Sequence, residues 1–117
     1  MGYSDAGKDL MLDALGTVAV FVSLHDGAPG DNGANEISGG SPAYVRKAIT
    51  WNASSGGSLD SSNQPELDVP AATTVMHVGF WSAESGGVFY GFSDVDDEVY
   101  TNQGTYKVTD ADLDLNA

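Results

Sequence analysis

The chain of 117 residues contains no cysteine and only four basic residues. Without thiols, neither a disulfide framework nor a thiolate metal site can form. Seventeen acidic residues against those four give a formal net charge of −13, which repels phosphate and excludes nucleic acid and anionic membrane surfaces as expected partners. Long apolar runs are missing too: the longest, around Val18 to Val22, falls far short of the ~20 residues of a membrane-spanning helix. The N-terminus, Met1-Gly2-Tyr3-Ser4-Asp5-Ala6, has no basic segment followed by an apolar one and no myristoylation pattern. The chain is therefore expected to be used as made, in the cytoplasm of the cell that translates it.

What remains suffices for a core. Hydrophobic residues make up 41% of the chain and charged ones 18%, so it should fold as a single domain spanning 1–117. Ala6, Leu10, Met11, Ala14 and Leu15 recur at helical spacing after a capping Ser4 or Asp5 and before Gly16, which predicts a helix over about 5–15 that docks by that apolar face. Thr17 to Leu24 is β-branched and aromatic, and reads as a central strand. Residues 26–42 are rich in Gly, Asp, Asn, Ser and Pro; they predict an exposed loop and the best candidate for a contact loop. Further strands are expected at Tyr44–Trp51, Leu67–Val69, Thr74–Ser82, Val88–Ser93 and Thr105–Thr109, with Leu113 and Leu115 on a closing one, about six or seven in all. Such short, turn-punctuated strands favour an all-β fold, a compact β-sandwich or small barrel with one short N-terminal helix.

One pattern occurs twice: Trp51-Asn52-Ala53-Ser54-Ser55-Gly56-Gly57 and Trp81-Ser82-Ala83-Glu84-Ser85-Gly86-Gly87 both read W-x-A-x-S-G-G. Paired glycines allow positive φ where a strand reverses, so each copy predicts a hairpin-like corner. Two copies do not make a repeat architecture.

Little in the sequence promises chemistry. A nucleophilic triad needs a histidine beside a serine and a carboxylate, and the two histidines, His25 and His77, lie in no recognisable nucleophile motif. Both are read as structural. Asp94, Asp96, Asp97 and Glu98 form the densest acidic group, but an EF-hand loop starting at Asp94 would need Gly and Glu where Val99 and Thr105 stand. A looser calcium site shared by Asp94, Asp96 and Glu98 competes with a solvated acidic hairpin turn, and the turn is the reading adopted. Asp110, Asp112 and Asp114 alternate with Ala111, Leu113 and Leu115, as on a half-exposed edge strand with inward leucines. Arg46 and Lys47 are read as partners for nearby carboxylates. No catalytic residue, cofactor or metal is assigned.

In order along the chain stand Ser23-Leu24-His25-Asp26, Tyr44-Val45-Arg46-Lys47-Ala48-Ile49-Thr50-Trp51, Val69-Pro70-Ala71-Ala72 and Val75-Met76-His77-Val78-Gly79-Phe80-Trp81, then Ser85-Gly86-Gly87. Over most of residues 5–110 this resembles small virion proteins of tailed phages, mainly actinobacteriophages, described as tail-fibre-like or minor tail proteins. The resemblance implies a non-enzymatic structural protein on the virion exterior, made in the host bacterial cytoplasm. Its expected partners are other virion proteins and copies of itself. Capsid decoration is the alternative location. A carbohydrate or host-surface binding module is the second alternative, and it would require Trp51, Tyr90 or Tyr100 to cluster in an exposed groove.

Overall fold

The computed structural model describes residues 2–109 and 111–115. It contains one helix, α1 (Asp5–Gly16), and eight strands: β1 (Phe21–His25), β2 (Lys47–Ala48), β3 (Ser58–Asp60), β4 (Glu66–Val69), β5 (Thr73–Trp81), β6 (Phe89–Tyr100), β7 (Gly104–Lys107) and β8 (Asp112–Asp114). The fold is all-β with one short N-terminal helix, as the strand spacing predicts, though it has more strands than the six or seven expected. The main sheet is antiparallel in the order β2-β1-β5-β6, with β1 inside it; β3 pairs with β8 and β4 with β7. One face of the main sheet supplies Val22, Leu24, Val78 and Phe80, which pack with Leu67 and Val69 of β4 and with Val108 and Ala111 into one apolar core. That is a sandwich-like arrangement, and each fully buried Val, Leu or Phe in it contributes about 1.5–3 kcal/mol. No helix among the described residues is long and apolar enough to cross a membrane.

The helix forms where expected, but it docks by a different face. Ser4 caps it, its Oγ accepting the Gly7 N–H at 3.2 Å, and Thr17, in right-handed helical conformation, closes it in place of a glycine stop. Leu12 is its buried residue, whereas Leu10 is 74% and Met11 38% exposed. The reason is polar. Asp9 and Asp13, on the Leu12 side, accept hydrogen bonds from the first W-x-A-x-S-G-G turn, and Gly16 packs on Trp51 and Leu59. The face carrying Ala6, Leu10, Met11 and Ala14 is thereby turned outward.

The expected strand at 44–51 shrinks to the two residues of β2. Beyond it the side chain of Asn63 stands in for a neighbouring strand: it accepts the Thr50 N–H at 2.9 Å and donates to the Ala48 carbonyl at 3.1 Å. Tyr44 and Arg46, just before β2, are held by side-chain bonds instead of a ladder.

The acidic run Asp94–Glu98 lies inside β6, not in a hairpin turn, and the reversal comes at Thr101–Gln103. The β5–β6 register shifts between Val75 and His77, where Val75 faces Glu98 and His77 faces Asp94. This bulge absorbs the extra acidic residues on the β6 side, which lets the strand continue past side chains of low strand propensity. At the closing end, Leu113 packs on the core, but Leu115 is 44% exposed, contrary to the inward placement expected. Asp110 lies outside the described residues.

Candidate functional site

The second face of the main sheet carries the polar and aromatic side chains. Ser23 and His25, two apart on β1, point the same way, as strand alternation requires. Opposite them on β5 stand Gly79 and His77. Ser23 Oγ lies 2.7 Å from His25 Nε2, and His25 Nδ1 lies 2.8 Å from the Ala34 carbonyl. A carbonyl only accepts, so Nδ1 carries the proton and Nε2 accepts from the serine. Trp81 Nε1–H donates to the same Ser23 Oγ at 2.8 Å. Gly79 makes room for this chain of bonds, because a Cβ there would sit 2.5 Å from Ser23 Oγ and 2.6 Å from His25 Nε2.

A serine bonded to a histidine resembles a nucleophile with its base, but both residues are fully buried, and no substrate carbonyl can reach the hydroxyl. Burial lowers the His25 pKa, opposed by its bond to Ala34 and by the charge of Glu36. The imidazole is thus held neutral as a structural acceptor.

Residues 26–42 run across this face. The sequence marks them as an exposed contact loop, yet Pro29, Gly33 and Ile37 are buried, and Ile37 N–H bonds the Leu24 carbonyl at 3.0 Å. Gly33, at φ +74°, approaches Trp81 so closely that a Cβ would lie 2.4 Å from its ring. The loop is pinned along its length although most of its residues remain exposed.

Arg46 is the hub that pins it. Its Nε and one terminal nitrogen bind the two oxygens of Glu36, each at 2.8 Å, in a forked ion pair. The other terminal nitrogen donates to the carbonyls of Ala83 at 3.0 Å and Gly86 at 2.8 Å. The guanidinium carbon stands 3.6 Å above the Trp81 ring centre. Tyr44 Oη–H adds a 2.7 Å bond to Glu36 while accepting the Leu24 N–H at 3.0 Å. Burial alone would raise the Glu36 pKa, but the bonds from Arg46 and Tyr44 outweigh it and hold the carboxyl below its ordinary value. Burial, reinforced by Glu36, pushes the Tyr44 phenol well above its own.

Sequence reading pairs Arg46 with a carboxylate without finding which one. Glu36 is separated from it by a glycine-rich stretch, the same loop also holds Asp26 and Asp31, and nothing local singles out Glu36 as the partner. Lys47 has no carboxylate partner among the described residues.

The two W-x-A-x-S-G-G copies are both turns with positive φ at both glycines. The first closes between Ser55 and Ser58 and is held through its N–H groups: Ser54 N–H bonds Asp13 and Gly57 N–H bonds Asp9, each at 2.8 Å. The second closes between Ser82 and Val88 and is held through its carbonyls by Arg46. Both tryptophans pack inward: Trp81 is buried, and Trp51 packs on the core with its Nε1–H on the Ala19 carbonyl.

The calcium candidates do not converge. Asp94 is bound to His77 Nε2 at 2.6 Å, and Asp96 and Glu98 lie exposed on β6, with the register shift between Asp94 and Glu98. Among the described residues no group of three or more His, Asp or Glu is placed to hold a metal ion. Nor do the aromatics of the carbohydrate alternative gather: Tyr90 and Tyr100 stand near opposite ends of β6, roughly 30 Å apart at 3.3 Å per residue, and Trp51 packs against Phe80.

None of the curated proteins compared matches the chain. A family model, described as Podophage GP4 fiber I protein gp80, matches residues 13–116. The match runs from the last turn of α1 through both turns, the Arg46 hub and β6, leaving Asp9 outside it, and the chain belongs to the phage fiber family of Podophage GP4 fiber I protein gp80.

Proposed function

We propose that the protein is a non-enzymatic structural subunit on the exterior of a tailed-phage virion, of minor tail or tail-fibre type, assembling with other virion proteins and with copies of itself. The observation that carries this reading is the fiber-family match over residues 13–116. It is supported by the way the side chains of the outer sheet face are spent. Ser23, His25, Glu36, Arg46 and Tyr44 bind one another and the loops, which rigidifies a surface and keeps the Ser23–His25 pair buried. Rigid loops on a sheet scaffold suit repeated contacts in a symmetric assembly.

Cryo-electron microscopy of intact particles carrying this protein tests the reading. Density for the domain at the tail or its tip is the expected result. Density on the capsid lattice would replace it with decoration of the head, and absence from every particle would overturn the virion assignment.

A further inference from the structure

The edge of the main sheet at β6 is open. β6 pairs with β5 on one side only, and among the described residues no backbone hydrogen bond joins its other side to a further strand. An edge this long is a template for strand addition unless something covers it. β7 follows after a short turn but pairs with β4 instead. This leaves a gap between β6 and the stretch from β7 to β8, bridged at one point by Ser93 Oγ, which donates to the Asp112 carbonyl at 3.1 Å. The gap is a cavity of about 270 Å³ lined both by apolar Val78, Phe80 and Val95 and by polar Ser93, Lys107 and Thr109.

From Tyr90 to Val95 exposed and less exposed positions alternate along β6, with Ser93 and Val95 on the inner side and Tyr90, Phe92 and Asp94 on the outer, whereas from Asp96 to Val99, across the register shift, every residue is exposed. Tyr90 and Phe92 are 40% and 41% exposed. Nothing lies within 4 Å of where a Gly91 Cβ would be.

We propose that the free edge of β6 takes up an extended segment of a different polypeptide, one that alternates apolar and basic side chains. Main-chain bonds to the open edge supply the pairing, and side chains at alternate positions supply the selectivity. The inward position of the added strand beside Val95 points into the apolar part of the cavity and favours an aliphatic residue, while the one beside Ser93 meets polar lining. Outward positions lie opposite Phe92 and Asp94, the latter already paired with His77, and beyond them the exposed acids Asp96, Asp97 and Glu98. An aromatic neighbour and then lysine or arginine is therefore favoured, since opposite charges across a strand pair attract and like charges repel.

A second copy of this chain cannot fill the role. Of its four basic residues, Lys8, Arg46, Lys47 and Lys107, Arg46 is engaged by Glu36. The others stand apart in sequence, so no segment alternates basic with apolar residues. A second β6 would instead bring its own acidic run to the edge. The open edge, the cavity and the acidic charge belong to the domain itself, wherever the protein sits in a particle.

The full-length protein is titrated with a fluorescent peptide, Val-Tyr-Val-Lys-Val-Lys-Val-Lys-Val, with two controls. One control has Glu for each Lys, and the other has Pro for two of the Val residues so that it cannot join a ladder. The lysine peptide is expected to bind at least roughly tenfold more tightly than either control, to weaken with added salt, and to protect β6 amides from hydrogen exchange. Replacing two exposed acids together, Asp96→Lys and Glu98→Lys, should reverse the preference toward the glutamate peptide, with an unchanged circular dichroism spectrum verifying the fold. Equal binding of the proline peptide would reduce the edge to a merely acidic surface and overturn the proposal, as would equal binding of the glutamate peptide. So would β6 protection that rises with protein concentration in the absence of peptide, because that would mean a second copy occupies the edge.

Discussion

The two W-x-A-x-S-G-G turns share five of seven residues at the same spacing and are fastened by opposite charges. The turn at 51–57 offers its N–H groups to the carboxylates of Asp9 and Asp13. The turn at 81–87 offers its carbonyls to the guanidinium of Arg46. A peptide turn has unpaired donors and acceptors, so either sign of charge can complete it, and the surroundings decide which. The first turn lies beside an acidic helix. The second lies beside a buried arginine that also stacks on Trp81 and binds Glu36. Their energetic roles differ accordingly, because the helix clasp is partly solvated while the arginine clasp is nearly closed to water, Arg46 being 8% exposed.

The largest expected effect comes from breaking the arginine clasp. Arg46→Met leaves the Glu36 carboxylate without its cation and should lower unfolding stability by about 3–5 kcal/mol in urea titrations. Arg46→Lys should recover only a minor part of that, since an ammonium cannot make the fork. Glu36→Gln keeps Tyr44 bonded but removes the charge, and at neutral pH it should cost about 1.5–3 kcal/mol. Because the folded-state pKa of Glu36 lies below its ordinary 4.5, its contribution is complete above that value and fades as pH falls through the lower one. The gap between variant and wild type should therefore close in acid.

His25 acts over a higher range. Its pKa is lowered from 6.5, so between that value and its folded-state pKa the unfolded chain binds the extra proton, and stability declines as pH drops below 6.5. A pH series of melting temperatures should show this decline in wild type and its loss in His25→Gln. The helix clasp should give smaller changes: about 1 kcal/mol for Asp9→Ala and less for the exposed Asp13→Ala, with faster hydrogen exchange confined to residues around Ser54 and Gly57. An effect of Asp9→Ala as large as that of Arg46→Met would erase the distinction between the two clasps.

Much of the scaffold was legible because it depends on local pattern. The β-branched and aromatic run ending at Leu24 and the one from Thr74 to Ser82 became β1 and β5, and paired glycines marked both turns. The helix was legible as a helix but not in its orientation. Leu12 and Leu10 are equally apolar, and the choice between them was made by Asp9 and Asp13 bonding a turn more than forty residues away. β2 was overestimated because a side chain, Asn63, replaced a ladder that propensity assumes. β6 was underestimated because acidic residues argue against a strand until a bulge accommodates them. Within the site, Ser23 and His25 could have been paired from their spacing on one strand face. Glu36 with Arg46 could not, since a loop path that no local rule predicts brings them together.

Each clasp also carries its own chromophore. Trp51 has its indole N–H on a backbone carbonyl and its ring against Phe80, whereas Trp81 has a cation over its ring and its N–H on a serine hydroxyl. These are optically distinct surroundings at the start of two otherwise matching turns. Replacing one tryptophan with phenylalanine leaves the emission of the other as a private signal, so the opening of the carboxylate-held corner and of the guanidinium-held corner can be followed separately in the same molecule, without any added label.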